Sequence, residues 1–196
     1  MTARTSAVTA VTAVTAALIA AAALTACTST PPPPPGRAVG ATGTAAIVWP
    51  ATMAASGTIP PAPAKGAAVK PWDWTVRASG TWAGVPVVIN VRALPAGKVK
   101  AASVNETLAT ITRQGLAAFA DQGASAVKVA GATDAQARRF SFRAKASPSS
   151  PVVDGLMLAA VNKSGAGISM QVTPTGRATK LPDALAAAIE ASITLP

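Results

Sequence analysis

Histidine and tyrosine are absent from this 196-residue chain, and cysteine occurs once, at Cys27. No His/Cys metal site can be assembled from such a set. Ser-His-Asp and Cys-His nucleophile systems are excluded for the same reason, as is a histidine-based pH switch. A lone cysteine cannot close a disulfide within one chain, so stability must come from a hydrophobic core. Acids are scarce too: seven Asp and Glu stand against 17 Lys and Arg, a formal charge of +10. Their spacing matches neither a glycosidase carboxylate pair nor a calcium loop. No metal and no cofactor is expected, and catalysis would have to rest on Ser, Thr, Lys or a carboxylate. The expectation is a protein that is not an enzyme.

What is present begins with the surroundings of Cys27. Arg4 is the only charge in the first 26 residues, and the chain is uncharged from Ala7 to Ala23, with a threefold Ala-Val-Thr repeat followed by an Ala/Leu/Ile stretch. Leu24, Thr25 and Ala26 then lead into Cys27. A charged start, an apolar run and small residues at a cleavage point are the parts of an export signal. About 17 mildly apolar residues are at the lower edge of what spans a bilayer, so a retained anchor helix is the alternative. Leu24-Thr25-Ala26-Cys27 resembles the lipobox of bacterial lipoproteins. That resemblance implies diacylglyceryl transfer to the Cys27 sulfur, cleavage before Cys27, and a lipid anchor in the cell membrane on its extracytoplasmic face. Each buried methylene contributes about 0.8 kcal/mol, and two acyl chains hold where one is marginal.

Residues 27–70 are expected to form the lipidated N-terminus and a tether. Five prolines, Pro31 to Pro35, make a stiff start, and Ala, Gly, Thr and Pro dominate the remainder. Ala46-Ile47-Val48-Trp49 is either a short strand or an apolar spot in that tether, and the tether is favoured. A flexible chain of that length has an end-to-end distance of roughly 36 Å.

Residues 71–196 carry the periodic signals and are expected to be one domain, long enough to bury about two-thirds of its surface. Trp72 to Ala78 and Gly84 to Leu94 alternate as strands; in the second, Val87, Ile89 and Val91 point one way and Asn90 and Arg92 the other. Pro86 puts that strand at a sheet edge. Ser103-Val104-Asn105-Glu106 has the pattern of a capping box. The helix it opens runs through Val104, Leu108, Ile111, Gly115, Ala118 and Phe119 and stops at Gly123. A hairpin comes next, from Ala126–Ala130 through Gly131-Ala132-Thr133-Asp134 to Arg139–Lys145. Strands at Leu156–Asn162 and Gly167–Thr173 flank the turn Lys163-Ser164-Gly165-Ala166. A last helix has Pro182 near its first turn, Asp183 beside its positive end, and Leu181, Leu185, Ile189 and Ser192/Ile193 on one stripe. The expected fold class is α+β, an antiparallel sheet of about six strands in the order β-β-α-β-β-β-β-α with two helices packed on it.

Val127-Lys128-Val129-Ala130-Gly131 with Ala137-Arg138-Arg139-Phe140-Ser141-Phe142 is similar to a strand pair of the LpqN-type lipoproteins of high-GC Gram-positive bacteria. The Ile168–Val172 strand and the Ala184–Ile193 helix resemble that family's closing units. The resemblance implies a PsbP-like sandwich and, through it, an accessory or partner-binding role. It transfers no catalytic residue.

Three short motifs invite a chemical reading. Ser125-Ala126-Val127-Lys128, Ser103-Val104-Asn105 and Lys163-Ser164-Gly165 match the S-x-x-K, S-x-N and K-[ST]-G elements of penicillin-binding proteins. The order is wrong, Ser125 precedes a strand rather than opening a helix, and the domain is too small for that fold. Trp72 and Trp74 are candidate groove aromatics for a lipid or glycan, with core anchoring the simpler role. Lys98, Lys100, Arg139, Arg143 and Lys145 are candidates for one basic patch. Anionic lipid, a cell-wall polymer or an envelope protein are the partners such a charge would meet; nucleic acid is not expected for an exported chain. The function these readings favour is a non-enzymatic binding or scaffold module of the cell envelope. The alternative is a carrier of a lipid or other amphiphile in an apolar cavity between sheet and helix.

Overall fold

Val152–Val161 is buried over seven successive residues, Gly155 to Val161, and Gly167–Met170 over four. Strands this apolar on both faces need a cover on each side, and the fold supplies one helix per face. The computed structural model describes residues 45–59 and 73–196, with the backbone of a two-residue strand at Arg37–Ala38. In chain order the strands are β1 (Arg37–Ala38), β2 (Ala46–Val48), β3 (Met53–Gly57), β4 (Val76–Trp82) and β5 (Val85–Leu94). Then come α1 (Ala101–Gly115), β6 (Ala117–Ala126), β7 (Asp134–Arg143), β8 (Val152–Val161), β9 (Gly167–Pro174), α2 (Asp183–Ala191) and β10 (Ile193–Thr194). The class is α+β. Seven strands form an antiparallel sheet in the order β3-β4-β5-β9-β8-β7-β6, and β1-β2-β10 form a small second sheet.

The two faces divide the core. Leu156, Leu158, Ile168, Met170 and Val172 pack with Leu181, Leu185, Ile189 and Ile193 on the α2 side. Met157, Ala159 and Val161 face the other way, with Phe140, toward Ala101, Val104, Leu108 and Ala109 of α1. Phe140 pairs across the strands with Gly155. Its ring occupies the space a side chain at Gly155 would need, and it stacks between Phe119 (5.4 Å) and Phe142 (6.0 Å).

Several expectations change. The tether does not extend through residues 45–59. Ile47 is fully buried and pairs with Ile193 of β10, while Trp49 meets Trp82 edge-on at 6.0 Å. The compact unit that holds the described residues spans Pro33–Pro196, so the domain starts before residue 71. Short, charge-poor strands separated by Pro and Gly resemble a linker in composition, and only their tertiary partners distinguish them.

Helix α1 ends at Gly115 rather than Gly123. Ala118 and Gly123 take positive φ (50° and 97°), and the β6–β7 register slips at Ala117/Ala120 and again at Asp121/Ala124. Two β-bulges thus break the period-2 pattern of β6 and disguise a strand as a helix tail. Residues 127–133 form a connector, not the expected strand. Ser103 caps nothing: α1 starts at Ala101 with no capping side chain from Lys100, and the Ala101 N–H donates instead to Asp134 Oδ2 of β7 at 2.8 Å. Pro86 is no edge marker, since β5 lies between β4 and β9; it stands near the strand's start, opposite Thr81.

Ile47→Ala should cost about 2–5 kcal/mol, the range for a large aliphatic side chain removed from a core; chemical denaturation with no change in midpoint would return this segment to the tether. A Cβ built at Gly155 lies 2.5 and 2.6 Å from the two Cε atoms of Phe140. Gly155→Ala should therefore destabilise by about 1–3 kcal/mol through overpacking, and calorimetry should find part of that loss restored by Phe140→Leu in the same chain.

Candidate functional site

Helix α2 presents Asp183, Ala186, Ala187 and Glu190 along one stripe, the i, i+3, i+4, i+7 spacing that brings side chains to one face. This stripe is one wall of a groove of about 460 Å³. Its floor is Val127, Ala137, Arg139 and Leu156, and its far wall is Gln122, Gly123, Ala124 and Ser125 of β6. Ala186 is buried against the sheet, and Ala187 is the exposed small residue on the groove side of the helix.

Adjacent arginines on β7 fasten the two sides. Arg139 points to the α2 face, where its Nη1 donates to the Leu181 carbonyl at 2.7 Å and its Nη2 to Asp183 Oδ1 at 2.6 Å. Arg138 points to the α1 face. It bonds Glu106 of α1 at 2.7 Å and forms an ion pair with Asp121 of β6. Asp121 Oδ1 in turn accepts the Gly123 N–H at 2.9 Å. The second bulge of β6, and with it the groove wall, is thereby tied to a network on the opposite face. Asp183 lies in the first turn of α2, where the helix dipole favours an anion. Glu190 lies near the helix end, where it does not. Burial pushes the Glu190 carboxyl above the usual range, partly offset by the nearby Arg139.

The sequence-derived basic patch is not assembled. Lys98 and Lys100 lie beside Asp134 at the start of β7, with Lys163 on the same rim of a second, wider basin of about 730 Å³. Arg143 lies at the other end of β7, nine residues on, or about 30 Å at the rise of a β-strand. It donates to the Pro148 and Ser150 carbonyls at 2.6 and 2.7 Å and holds the loop that carries Lys145. Arg139 is in the groove. Trp74 is half-buried against the α1-face cluster of Leu108, Phe140 and Met157; Trp72 lies outside the described residues, as do Leu24, Thr25, Ala26 and Cys27. Ser125 stands on β6, an edge strand, so the serine of the S-x-x-K match does not open a helix.

Two ionisable groups escape a reading of the sequence. Alternation puts Arg92 on the polar face of its strand; that face is right, yet the side chain is only 4% exposed and its Nε donates to Ser169 Oγ at 2.8 Å. Desolvation lowers its pKa and the charge of Asp73 counters this. Glu190 carries one usable signal: an acid in the last turn of a helix, in a chain rich in cations, where a base is the usual choice.

Because the Glu190 pKa is raised on folding, the folded state disfavours its carboxylate relative to the unfolded chain. The contribution of this group to stability is present below the unfolded carboxylate range and is lost as pH rises through the folded pKa. Glu190→Gln should therefore melt higher than wild type near neutral pH, with the gap closing as pH falls below the carboxylate range; a gap that does not change with pH contradicts this. The chain matches no family model and none of the curated proteins.

Proposed function

We propose that this protein is a non-enzymatic binding module of the bacterial cell envelope, held to the extracytoplasmic face of the membrane by a lipid on Cys27, with the groove between α2 and β6 as its ligand site. The observation that carries the binding reading is the groove itself. It combines small and aliphatic side chains with Arg139, Asp183 and Glu190, and its walls are elements held from both faces of the sheet. Clefts of a few hundred Å³ with an apolar lining and a few fixed polar groups are the usual form of a binding site.

The address rests on the sequence around Cys27. Among the described residues no helix is long and apolar enough to cross a membrane. Only residues 28–36 separate Cys27 from β1. They can reach at most about 35 Å at the extended limit per residue, so the folded body would work close to the bilayer rather than far above it. Lys98, Lys100 and Lys163 would suit an anionic lipid or cell-wall polymer by charge.

A carrier of a lipid or amphiphile needs a continuous apolar cavity between sheet and helix. That space is occupied: Leu156, Leu158, Ile168, Met170, Leu185 and Ile189 are each no more than 1% exposed. The small side chains of α2 do create room, but at the helix flank, where Asp183, Arg139 and Glu190 line it. The PsbP-like reading of the fold draws support from the antiparallel sheet with a helix on each face, and it favours the same accessory, partner-binding class.

Cys27→Ser should abolish metabolic labelling with a fatty acid and move the protein out of the detergent phase on phase partition. An unlabelled parent, or a variant that partitions like it, would remove the lipid anchor. Crosslinking in intact envelopes should capture a component through residues placed at 122–125, and capture only through the opposite sheet face would move the site.

A further inference from the structure

We propose that the groove between α2 and β6 binds a lysine side chain of a partner polypeptide, the ammonium paired with Glu190 and the aliphatic stem laid along the accessible lining of Ala124, Val127 and Ala187. This rests on the groove being the binding site. Charge distribution is the first argument. The chain has seven acids against 17 bases, yet two of the seven, Asp183 and Glu190, lie on the groove stripe of a nine-residue helix. Asp183 is already matched by Arg139, whose second donor is taken by the Leu181 carbonyl. Glu190 makes no ion pair among the described residues, although Arg139 acts on it at longer range, so the groove lining sets two acids against one guanidinium inside a strongly cationic protein.

The second argument is the position of Glu190 on α2. No basic residue occupies the last turn of this helix, where the backbone dipole is negative. A cation entering there meets the carboxylate and the helix end together, both of which favour it. The carboxylate is also partly stripped of water, as the upward shift of its pKa reflects. An arriving ammonium would offset that desolvation, which an exposed surface acid cannot offer.

The third argument is shape. The lining that Glu190 and the Arg139–Asp183 pair share includes small and aliphatic side chains, with Ala124, Val127 and Ala187 accessible and Ala137, Leu156 and Ala186 buried. A planar guanidinium would compete with Arg139 for the same carboxylates, whereas a slim stem ending in a compact ammonium fits between them. Lysine stems bury their methylenes along apolar surface while keeping the charge at a polar partner.

The test is titration of the 15N-labelled full chain with blocked lysine (N-acetyl-lysine N-methylamide). Its norleucine and Nε-acetyl-lysine analogues serve as controls of similar stem without charge. Saturable shifts are expected at residues 122–125 and 183–190, weakened by added salt. Both neutral analogues should bind at least tenfold more weakly, and Glu190→Gln should lose at least tenfold while its spectrum elsewhere stays that of wild type. Equal binding of the norleucine analogue, unchanged binding by Glu190→Gln, shifts centred on Asp121 or Asp154, or no saturable shift would each overturn the assignment. If envelope crosslinking through residues 122–125 persists while blocked lysine fails, the ligand class falls and the binding site stands. If blocked lysine binds but nothing is captured, the envelope role falls instead.

Discussion

Burial of β8 and β9 on both faces is the constraint that dictates the architecture. A strand that alternates apolar and polar residues is content with one cover, but Gly155 to Val161 has no polar residue to turn toward water. Each face must therefore be closed. Helix α1 closes one over β6, β7 and β8, and α2 with the small sheet closes the other. Fully burying an aliphatic side chain is worth about 1.5–3 kcal/mol, so the paired Ile47 and Ile193 alone give the small sheet a reason to dock. The same demand explains why a segment as linker-like as residues 45–59 is recruited into the fold.

Covers need attachment as well as apolar area, and β7 supplies it through consecutive arginines. Because successive side chains on a strand point to opposite faces, Arg138 and Arg139 reach the two helices from one short stretch of backbone. Exposed ion pairs contribute little singly. Arg138 differs in being largely shielded, with its side chain 13% exposed, and in bonding two carboxylates on separate elements. Its partner Asp121 also accepts the N–H freed by the Gly123 bulge. The groove wall on one face is thus fixed by charges on the other, and the shape of the site is a consequence of how the sheet is held.

Much of the fold is legible in the sequence where one periodicity governs. The strand at Gly167–Thr173, the faces of Val87, Ile89 and Val91, and the stripe of Leu181, Leu185, Ile189 and Ile193 all agree with the structure. Legibility ends where tertiary partners replace local signals. Ser103 and Glu106 have the form of a capping box, but Asp134, 33 residues from Ala101, performs the capping. The two bulges of β6 break its alternation, so the helix pattern overruns into it. The site is less legible than the fold. Arg139 stands out in the sequence, but as part of a surface patch; its real neighbours, Leu181 and Asp183, are more than 40 residues away in the chain.

Two ionisable side chains have lost water, and their surroundings separate structure from function. Arg92 is enclosed on the α1 face of the sheet, fixed by Ser169, which is itself fully buried, and balanced by the field of Asp73. A ligand could reach it only by displacing packed side chains. Its charge is a cost the fold absorbs internally, and a buried charge relieved by a fixed partner is weak evidence of activity. Glu190 is only half-buried, faces an open groove, and stands at the helix end that disfavours it. Nothing in the packing of α2 requires an acid there, since Leu185, Ala186 and Ile189 make the contacts with the sheet. A local rule broken with no structural gain is where a ligand is most economically placed.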